Sequence, residues 1–505
     1  MEIVLCVTGS IAATETIKLA REFRRQGHSV KAFMTQEATK IIHPNALEFA
    51  TGQEVVLELT GKIEHVKYSQ VDLILVAPAT ANTISKFAYK ISDNPVNTLL
   101  ITAQGHDTPI VFVPSMHDSM YDAVSENVEK LKAEGIKFVN PRIDEGKAKF
   151  PAIEDIVLES VRAVNLDKVK KGIADDEVSK IAGKNILISL GGTFEEIDPI
   201  RGISNRSSGR MGLELAKEAF IRGANLTILA AHHEVSIPKA FNVIDAESTT
   251  LMNEKIDELI PDFDIFIATA AVSDFTPINK EQSKISSSYN LSLEFEPVAK
   301  IIQRIKKINE DIFLVGFKAE YNISEEKMID CAKTQMREAG TDLVVANDVS
   351  NAGCGFGSET NEVILVSDDI KKVSLNSKKE ISKSIFDEIS KKRIYESINS
   401  LTLDLEGIVA DLSGTIDEVN LNPEDFLNAQ TRLDTLRDLM LKYGNSEESI
   451  LDFLSKAKDE LSLIVQDEES RLELENLLEP SQQALIDAGE ALTKSRKKAG
   501  HNLTG

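Results

Sequence analysis

Tryptophan is absent from the 505-residue chain, cysteine occurs three times, and aromatic residues make up 5% of it. The cysteines, Cys6, Cys331 and Cys354, are scattered and show no Cys-x-x-Cys spacing. That pattern excludes a disulfide scaffold and a cysteine-rich zinc site, and it fits a reducing compartment. Long apolar runs are missing too, and none approaches the length needed to cross a bilayer. The N-terminal "MEIVLCVTGS" has an acidic second residue and a short apolar run, which reads as a buried strand and not as a signal peptide. Positive charge is scarce: 57 Lys and Arg stand against 81 Asp and Glu, a net charge of −24. A chain so acidic is a poor nucleic-acid surface, so any anionic ligand must be held by local groups. The expectation is a cytoplasmic protein with neither a nucleic-acid nor a membrane partner.

The length suggests about three domains. In the first segment the apolar runs "EIVLCVTGS", "SVKAFMT", "VDLILVAPAT", "NTLLITA" and "PIVFVPSM" read as strands, with helices such as "ATETIKLAREFRRQG" between them. Strand-length apolar runs separated by helices predict a parallel sheet covered on both faces, over residues 1–165. The charged "NLDKVKKGIADDEVSKIAGK" has little to bury and reads as a connector, 166–183. A second α/β unit, 184–393, runs from "NILISLGGT" through "NEVILVS" to a short closing helix, "SKKEISKSIFDEISKKR".

Beyond Arg393 the chain becomes acidic and helical. Phe426, Ala429, Leu433, Leu436, Met440 and Tyr443 alternate at spacings of three and four, and Ile450, Leu454, Ala457, Leu461 and Ile464 repeat the pattern. Asn422 is the expected N-cap, Pro423 the first helical residue and Gly444 the stop. The predicted fold is therefore α/β, two Rossmann-like parallel-sheet domains followed by an all-α tail, 394–505, forming an antiparallel hairpin or coiled coil.

Four motifs of the first unit carry polar groups to strand ends. "VTGSIAA" puts Gly9 and Ser10 after the first strand, as a phosphate seat or as an ordinary turn. "LVAPATANTISKF" repeats the arrangement with Pro78, Thr80 and Asn82, and two such loops make a cofactor crevice. His65, in "GKIEHVKYSQVD", is either a surface residue or a proton-transfer group. "VPSMHDSMYD" supplies Met116, His117, Met120 and Tyr121, a cluster that could equally be core filler.

Taken in order, these motifs resemble those of the flavin-containing cysteine decarboxylases, which act in coenzyme A synthesis as phosphopantothenoylcysteine decarboxylases. The resemblance implies FMN bound by Gly9, Ser10, Thr80 and Asn82, His65 as catalytic acid/base, and Met116 and His117 at the substrate. It also implies an active site formed between the subunits of a trimer, with flavin as the temporary electron sink for loss of carbon dioxide. Two departures stand out. His117 and Tyr121 occupy positions where the family carries Asn and Trp, and "NPRIDEGKAKFPAIEDI" lacks the family's flap cysteine while offering Lys147 and Lys149.

In the second unit, "LISLGGTFEEIDPIRGISNRSSGRMG", "ATAAVSDFTP", "KISS", "LVGFKAE" and "VVANDVS" resemble the phosphopantothenate–cysteine ligases. The resemblance implies CTP as co-substrate and an acyl-cytidylate that cysteine attacks. Backbone amides at Gly191, Gly192, Ser207, Ser208 and Gly209 would approach the triphosphate, and Asn205 would contact the intermediate. Asp274 would ligate Mg²⁺ (or Mn²⁺), Lys284 would bind phosphate and assist acyl transfer, and Phe317, Asn347 and Asp348 would border the cytosine pocket. Where bacterial ligases often carry two lysines, Gln335 and Ala339 stand here, with Lys333 and Arg337 nearby. The tail resembles part of the coiled-coil arm of the RecN repair ATPases, without their ATPase head, and reads as an appended interaction module or as a fusion.

The combined expectation is a bifunctional coenzyme A biosynthesis enzyme acting on phosphopantothenate, cysteine and CTP, with trimeric decarboxylase and dimeric ligase units. The alternative is an active ligase whose first unit binds FMN without catalysis.

Overall fold

The computed structural model describes residues 1–144, 147–286, 291–418 and 423–501. It divides into two compact units, Met1–Ser397 and Ile398–Gly505.

Within the first unit, one sheet has five parallel strands in the order Ser29–Met34, Glu2–Val7, Leu73–Ala79, Ile110–Pro114 and Lys137–Phe138. Alternate residues of its strands serve different cores. Ile3, Leu5 and Val7 pack with Leu19, Ala20 and Phe23, whereas Val4 and Cys6 face Ile84, Phe87 and Leu99. Helices on both faces require strands apolar throughout, and every residue of Leu73–Ala79 is buried.

The stretch "NTLLITA" is not the expected strand. It lies in the helix Pro95–Gln104, where Asn94 accepts from the Asn97 N–H at 3.0 Å and Pro95 takes the first helical position. A short apolar run suits a strand or a buried helix, and here the Asn-Pro start decides.

The second sheet has eight strands, in the order Asn242–Asp245, Asn225–Ala230, Asn185–Leu190, Ile265–Ala268, Phe313–Glu320, Leu343–Asp348, Thr360–Val366 and Ile370–Ser377. The first six run parallel, and the last two pairings are antiparallel because Thr360–Val366 alone runs against the rest, so a hairpin closes a sheet expected to be parallel throughout. Two ribbons, Phe194–Asp198 with Arg201–Ser204 and Phe275–Pro277 with Phe295–Pro297, project beside its C-terminal edge.

The connector is structured. The helix Ile153–Lys170 runs into it, and Ile181 is fully buried in the core of the second sheet together with Leu158. This helix also grips the helix Arg210–Ile221. Arg162 donates to the carbonyls of Phe220 and Ala224, each at 2.7 Å, and Asn165 donates to that of Ile221 at 2.7 Å. The Arg162 guanidinium also lies 4.4 Å from the centre of the Phe220 ring. These donors satisfy carbonyls that the end of a helix leaves unpaired.

The closing helix runs Lys378–Glu418, well past Arg393, because neither Gly nor Pro interrupts the sequence before Gly407. In the second unit the helices Pro423–Tyr443 and Glu447–His501 meet at a turn, with the rings of Tyr443 and Phe453 centred 4.5 Å apart. Phe426, Leu433, Leu454 and Leu461 of the two heptad runs stay exposed, so those positions form no internal core. The expected N-cap Asn422 and the side chain of Ile464 lie outside the described residues.

Arg162→Ala should lower the stability of the first unit by about 2 kcal/mol, the scale of charge-assisted bonds to buried carbonyls. Denaturant unfolding followed by circular dichroism would measure it, since no tryptophan is present to report.

Candidate functional site

At the C-terminal edge of the five-stranded sheet, hydroxyls tie three loops together. Thr8 Oγ1 donates to Pro78 O at 2.6 Å, and Ser10 Oγ donates to Ser115 O at 3.2 Å. Thr80 caps the helix Ala81–Ala88 by accepting from the Thr83 N–H at 3.3 Å, and Asn82 is exposed in its first turn. Ala77–Pro78 is a cis peptide. Gly9 is required by close approach, since a Cβ there would lie 2.5 Å from Glu37 Cβ. Thr8, Ser10 and Thr80 are thus brought to one edge, where open α/β sheets bind ligands.

His65 sits in the one-turn helix Glu64–Lys67, after Ile63 in the left-handed region at φ 47°. Its Nδ1 is buried and has no hydrogen-bond partner, which is unusual for a buried polar atom. The preceding Glu64 is buried and accepts from both Oγ1 and N–H of Thr60. Those two bonds, the hydroxyl first, hold its carboxyl down at about 2.

His117 is exposed, with Nδ1 2.9 Å from Ser119 Oγ and 2.7 Å from Asp118 Oδ1. Met116–His117 pairs with Lys147–Lys149, which pairs in turn with Arg142–Asp144. The cysteine-free flap is therefore a small sheet laid along the Met116–His117 box. The side chain of Lys147 lies outside the described residues.

The second sheet holds a cleft of about 880 Å³ over its C-terminal edge. Asn205, Ser207, Ser208, Gly209, Asp274, Phe317 and Asn347 all line it, although they come from segments far apart in sequence. Asn205 is fixed by its own side chain, whose Nδ2 donates to Ala271 O at 3.0 Å and Val272 O at 3.2 Å. Ser208 Oγ donates to Phe356 O at 2.6 Å. Gly209 is left-handed at φ 78° and begins the helix Arg210–Ile221, whose first amides point into the cleft loop. Gly212 lets this helix lie flat on the sheet, since a Cβ would come within 2.6 Å of Leu190 Cβ and Thr269 Oγ1. Asp274 is exposed and the Asn347 side chain is buried, its amide 3.4 Å from Asn361 Oδ1.

Four expected residues lie outside the cleft lining. Gly191 and Gly192 do not line the cleft: the Gly192 N–H donates to His232 O at 2.9 Å, and a Cβ on Gly191 would lie 2.4 Å from that same oxygen. The glycine pair serves backbone packing. Lys284 is exposed and outside the cleft lining, on a segment anchored through Ile285, whose N–H donates to Asp198 and whose carbonyl accepts from Arg201. Burial works against the Asp198 charge, but the N–H groups of Ile200, Ile285 and Arg201 hold its carboxyl below the usual range. Asp348 braces a turn instead of bordering the cleft. Ser350 and the amides of Asn322 and Ile323 hold its carboxyl at about 2.

Sequence reasoning missed Lys300, Lys318, Cys331, Cys354 and Lys378, all of which line the cleft. Lys318 was within reach, as the polar neighbour of Phe317 at a strand's end; Lys378 was hidden at the start of an ordinary-looking amphipathic helix. Gln335 and Ala339 line the cleft as well, so the departure at those positions alters its wall.

A crevice of hydroxyls over one α/β sheet and a polar cleft at a helix N-terminus over another give an α/β protein with two candidate sites. Residues 1–165 match the flavoprotein family model, and 181–393 match that of the DNA/pantothenate metabolism flavoprotein C-terminal domain. The coenzyme A biosynthesis bifunctional protein CoaBC of Thermococcus kodakarensis is 47% identical over 401 residues, covering 77% of this chain and 95% of that one. Its namesake in Methanocaldococcus jannaschii is 38% identical over 395 residues, covering 77% and 93%. The crystal structure of a DNA/pantothenate metabolism flavoprotein from Streptococcus pneumoniae is 25% identical, with a TM-score of 0.38, covering 42% of this chain and all of that one. The chain belongs to the bifunctional CoaBC family of coenzyme A biosynthesis. It is an enzyme with phosphopantothenate–cysteine ligase and phosphopantothenoylcysteine decarboxylase activities acting on small-molecule substrates.

Because the Glu64 carboxyl is lowered in the folded state, its contribution is fully present above about 4.5 and lost as pH falls toward 2. The protection factor of the Thr60 amide, its exchange compared with the intrinsic rate at the same pH, should be high at pH 6 and fall across that window, and Glu64→Gln should lower it at pH 6.

Proposed function

We propose that the two halves divide the chemistry by residue as follows. In the ligase cleft, the loop Ser207–Gly209 and the N-terminus of the helix Arg210–Ile221 receive phosphate oxygens of CTP. The phosphopantothenate carboxylate attacks the α-phosphorus and pyrophosphate leaves; the amine of cysteine then attacks the acyl carbon and CMP leaves. Asn205, immobilised through its Nδ2, lies in the cleft wall where it would contact the acyl-phosphate intermediate. Phe317 and Asn347 border the cytosine. Asp274, a lone carboxylate on an otherwise neutral strand end, would hold Mg²⁺ together with phosphate oxygens, which suits a cation that keeps few protein ligands. The observation that carries this reading is the gathering of Asn205, Ser208, Asp274, Phe317 and Asn347 around one cleft.

In the first half, Ser10, Thr80 and Asn82 would hold FMN at the sheet edge, with Gly9 shaping the turn. The hydroxyls of Thr8 and Thr80, 3.4 Å apart, the Ser10 hydroxyl held on Ser115 O, and the partnerless Nδ1 of His65 support the fit. FMN, when bound, supplies the temporary electron sink that decarboxylation needs. His65 moves the proton, and Met116 and His117, whose backbone pairs with the flap, orient the substrate.

Assembly into trimeric decarboxylase and dimeric ligase units is supported by exposed apolar side chains, Ile11 and Met120 in one half, Phe275 and Ile278 in the other. No helix among the described residues is long and apolar enough to cross a membrane. A cytoplasmic setting suits three free cysteines. The tail, 394–505, serves as a helical interaction module resembling a RecN arm, with no part in either reaction.

Incubation with phosphopantothenate, cysteine, CTP and Mg²⁺, followed by mass spectrometry, should yield phosphopantetheine from the wild type. His65→Asn should accumulate phosphopantothenoylcysteine, with decarboxylation down by about 10²-fold or more. Equal phosphopantetheine from both proteins would remove His65 from the reaction.

A further inference from the structure

Lys378 is the first residue of the helix Lys378–Glu418, where a cation opposes the helix dipole. It is only 5% exposed and lines the ligase cleft. Its Nζ donates to Phe356 O at 3.3 Å, a long bond, and that carbonyl already accepts from Ser208 Oγ at 2.6 Å. Ammonium and hydroxyl therefore converge on one oxygen at the start of the 12-residue helix Arg210–Ile221. Among the described residues no carboxylate forms an ion pair with Lys378. The nearby Glu359 is engaged by Arg210, a second cation at the same loop. An ammonium has three donors, and one buried with a single weak acceptor is costly unless something supplies the missing charge.

We propose that Lys378 is a phosphate-binding residue of the ligase cleft, closing an anion seat formed by Ser208, Arg210 and the helix N-terminus. The inference rests on the ligase reading above and adds to it a residue from the far end of the fold. Burial, and then Arg210, lower the pKa of the amine, as expected of a cation placed to await an anion. The ligand class is a phosphate ester or anhydride. Two substrates carry one, the nucleotide and phosphopantothenate.

The test uses the full chain with Lys378→Met and Lys378→Arg. Tripolyphosphate and inorganic phosphate are titrated calorimetrically as probes, and the ligase KM is measured separately for each substrate. Lys378→Met should weaken tripolyphosphate or phosphate about tenfold or more, the cost of losing one charge-assisted hydrogen bond, while Lys378→Arg retains most of the binding. A raised KM for CTP assigns the seat to the triphosphate; a raised KM for phosphopantothenate assigns it to that ester. In either case the KM for cysteine should stay unchanged. Unaltered probe binding and unaltered KM values in Lys378→Met would overturn the proposal. Should that variant fail to fold, acylation of the Lys378 amine in the wild-type chain, read by peptide mass spectrometry with and without saturating tripolyphosphate, replaces it: protection by the probe is expected, and equal labelling would overturn the proposal. Absence of ligation by the wild type would instead count against the ligase reading, while the probe titrations would still judge Lys378.

Discussion

The helix Arg210–Ile221 must lie directly on the strand Asn185–Leu190, and most of the second active site depends on that contact. Gly212 permits it, because any side chain there would strike Leu190 and Thr269. With the helix seated, its N-terminus and the left-handed Gly209 face the cleft, and Ser208 reaches Phe356 across the sheet. Its C-terminus is capped by Arg162 and Asn165, side chains contributed by the first half of the chain. One helix thus carries an anion seat at one end and a tether at the other.

Much of this was legible in the sequence, for a physical reason. Polar and small residues clustered at strand ends, as in "ISNRSSGRMG" and "APATAN", are costly there unless they build a loop or meet a ligand, so they mark the sheet edge. The parallel core was readable from uninterrupted apolar runs. What failed were features that a one-dimensional pattern cannot hold. "NTLLITA" has a strand's composition, and its true state depends on the Asn94–Pro95 start and on packing over the first sheet. Gly191 and Gly192 look like a phosphate loop, yet answer to the backbone of His232. Lys378 has no local signal, because its role arises where two distant elements meet.

The departures from family pattern fall in instructive places. Gln335 and Ala339 line the cleft of the second sheet, and Gly316 leaves room for Gln335, whose Nε2 would lie 2.2 Å from a Cβ at that position. His117 is held by its own neighbours Ser119 and Asp118, and the flap meets it through backbone pairing that asks nothing of side-chain identity. A flap built on main-chain bonds tolerates loss of its cysteine without losing its position.

The helix Ile153–Lys170 belongs to both catalytic halves at once. Its Ile156 and Val157 complete the core beneath the first sheet, while Leu158 enters the core of the second. The family boundary near residue 165 is therefore a border of descent and not a seam in the folded molecule. A gene split at that point would hand the helix to the decarboxylase and leave the ligase with an open groove, uncapped carbonyls and an unfilled place for Leu158. In this chain, then, the linking helix is structural material that both catalytic halves hold in common.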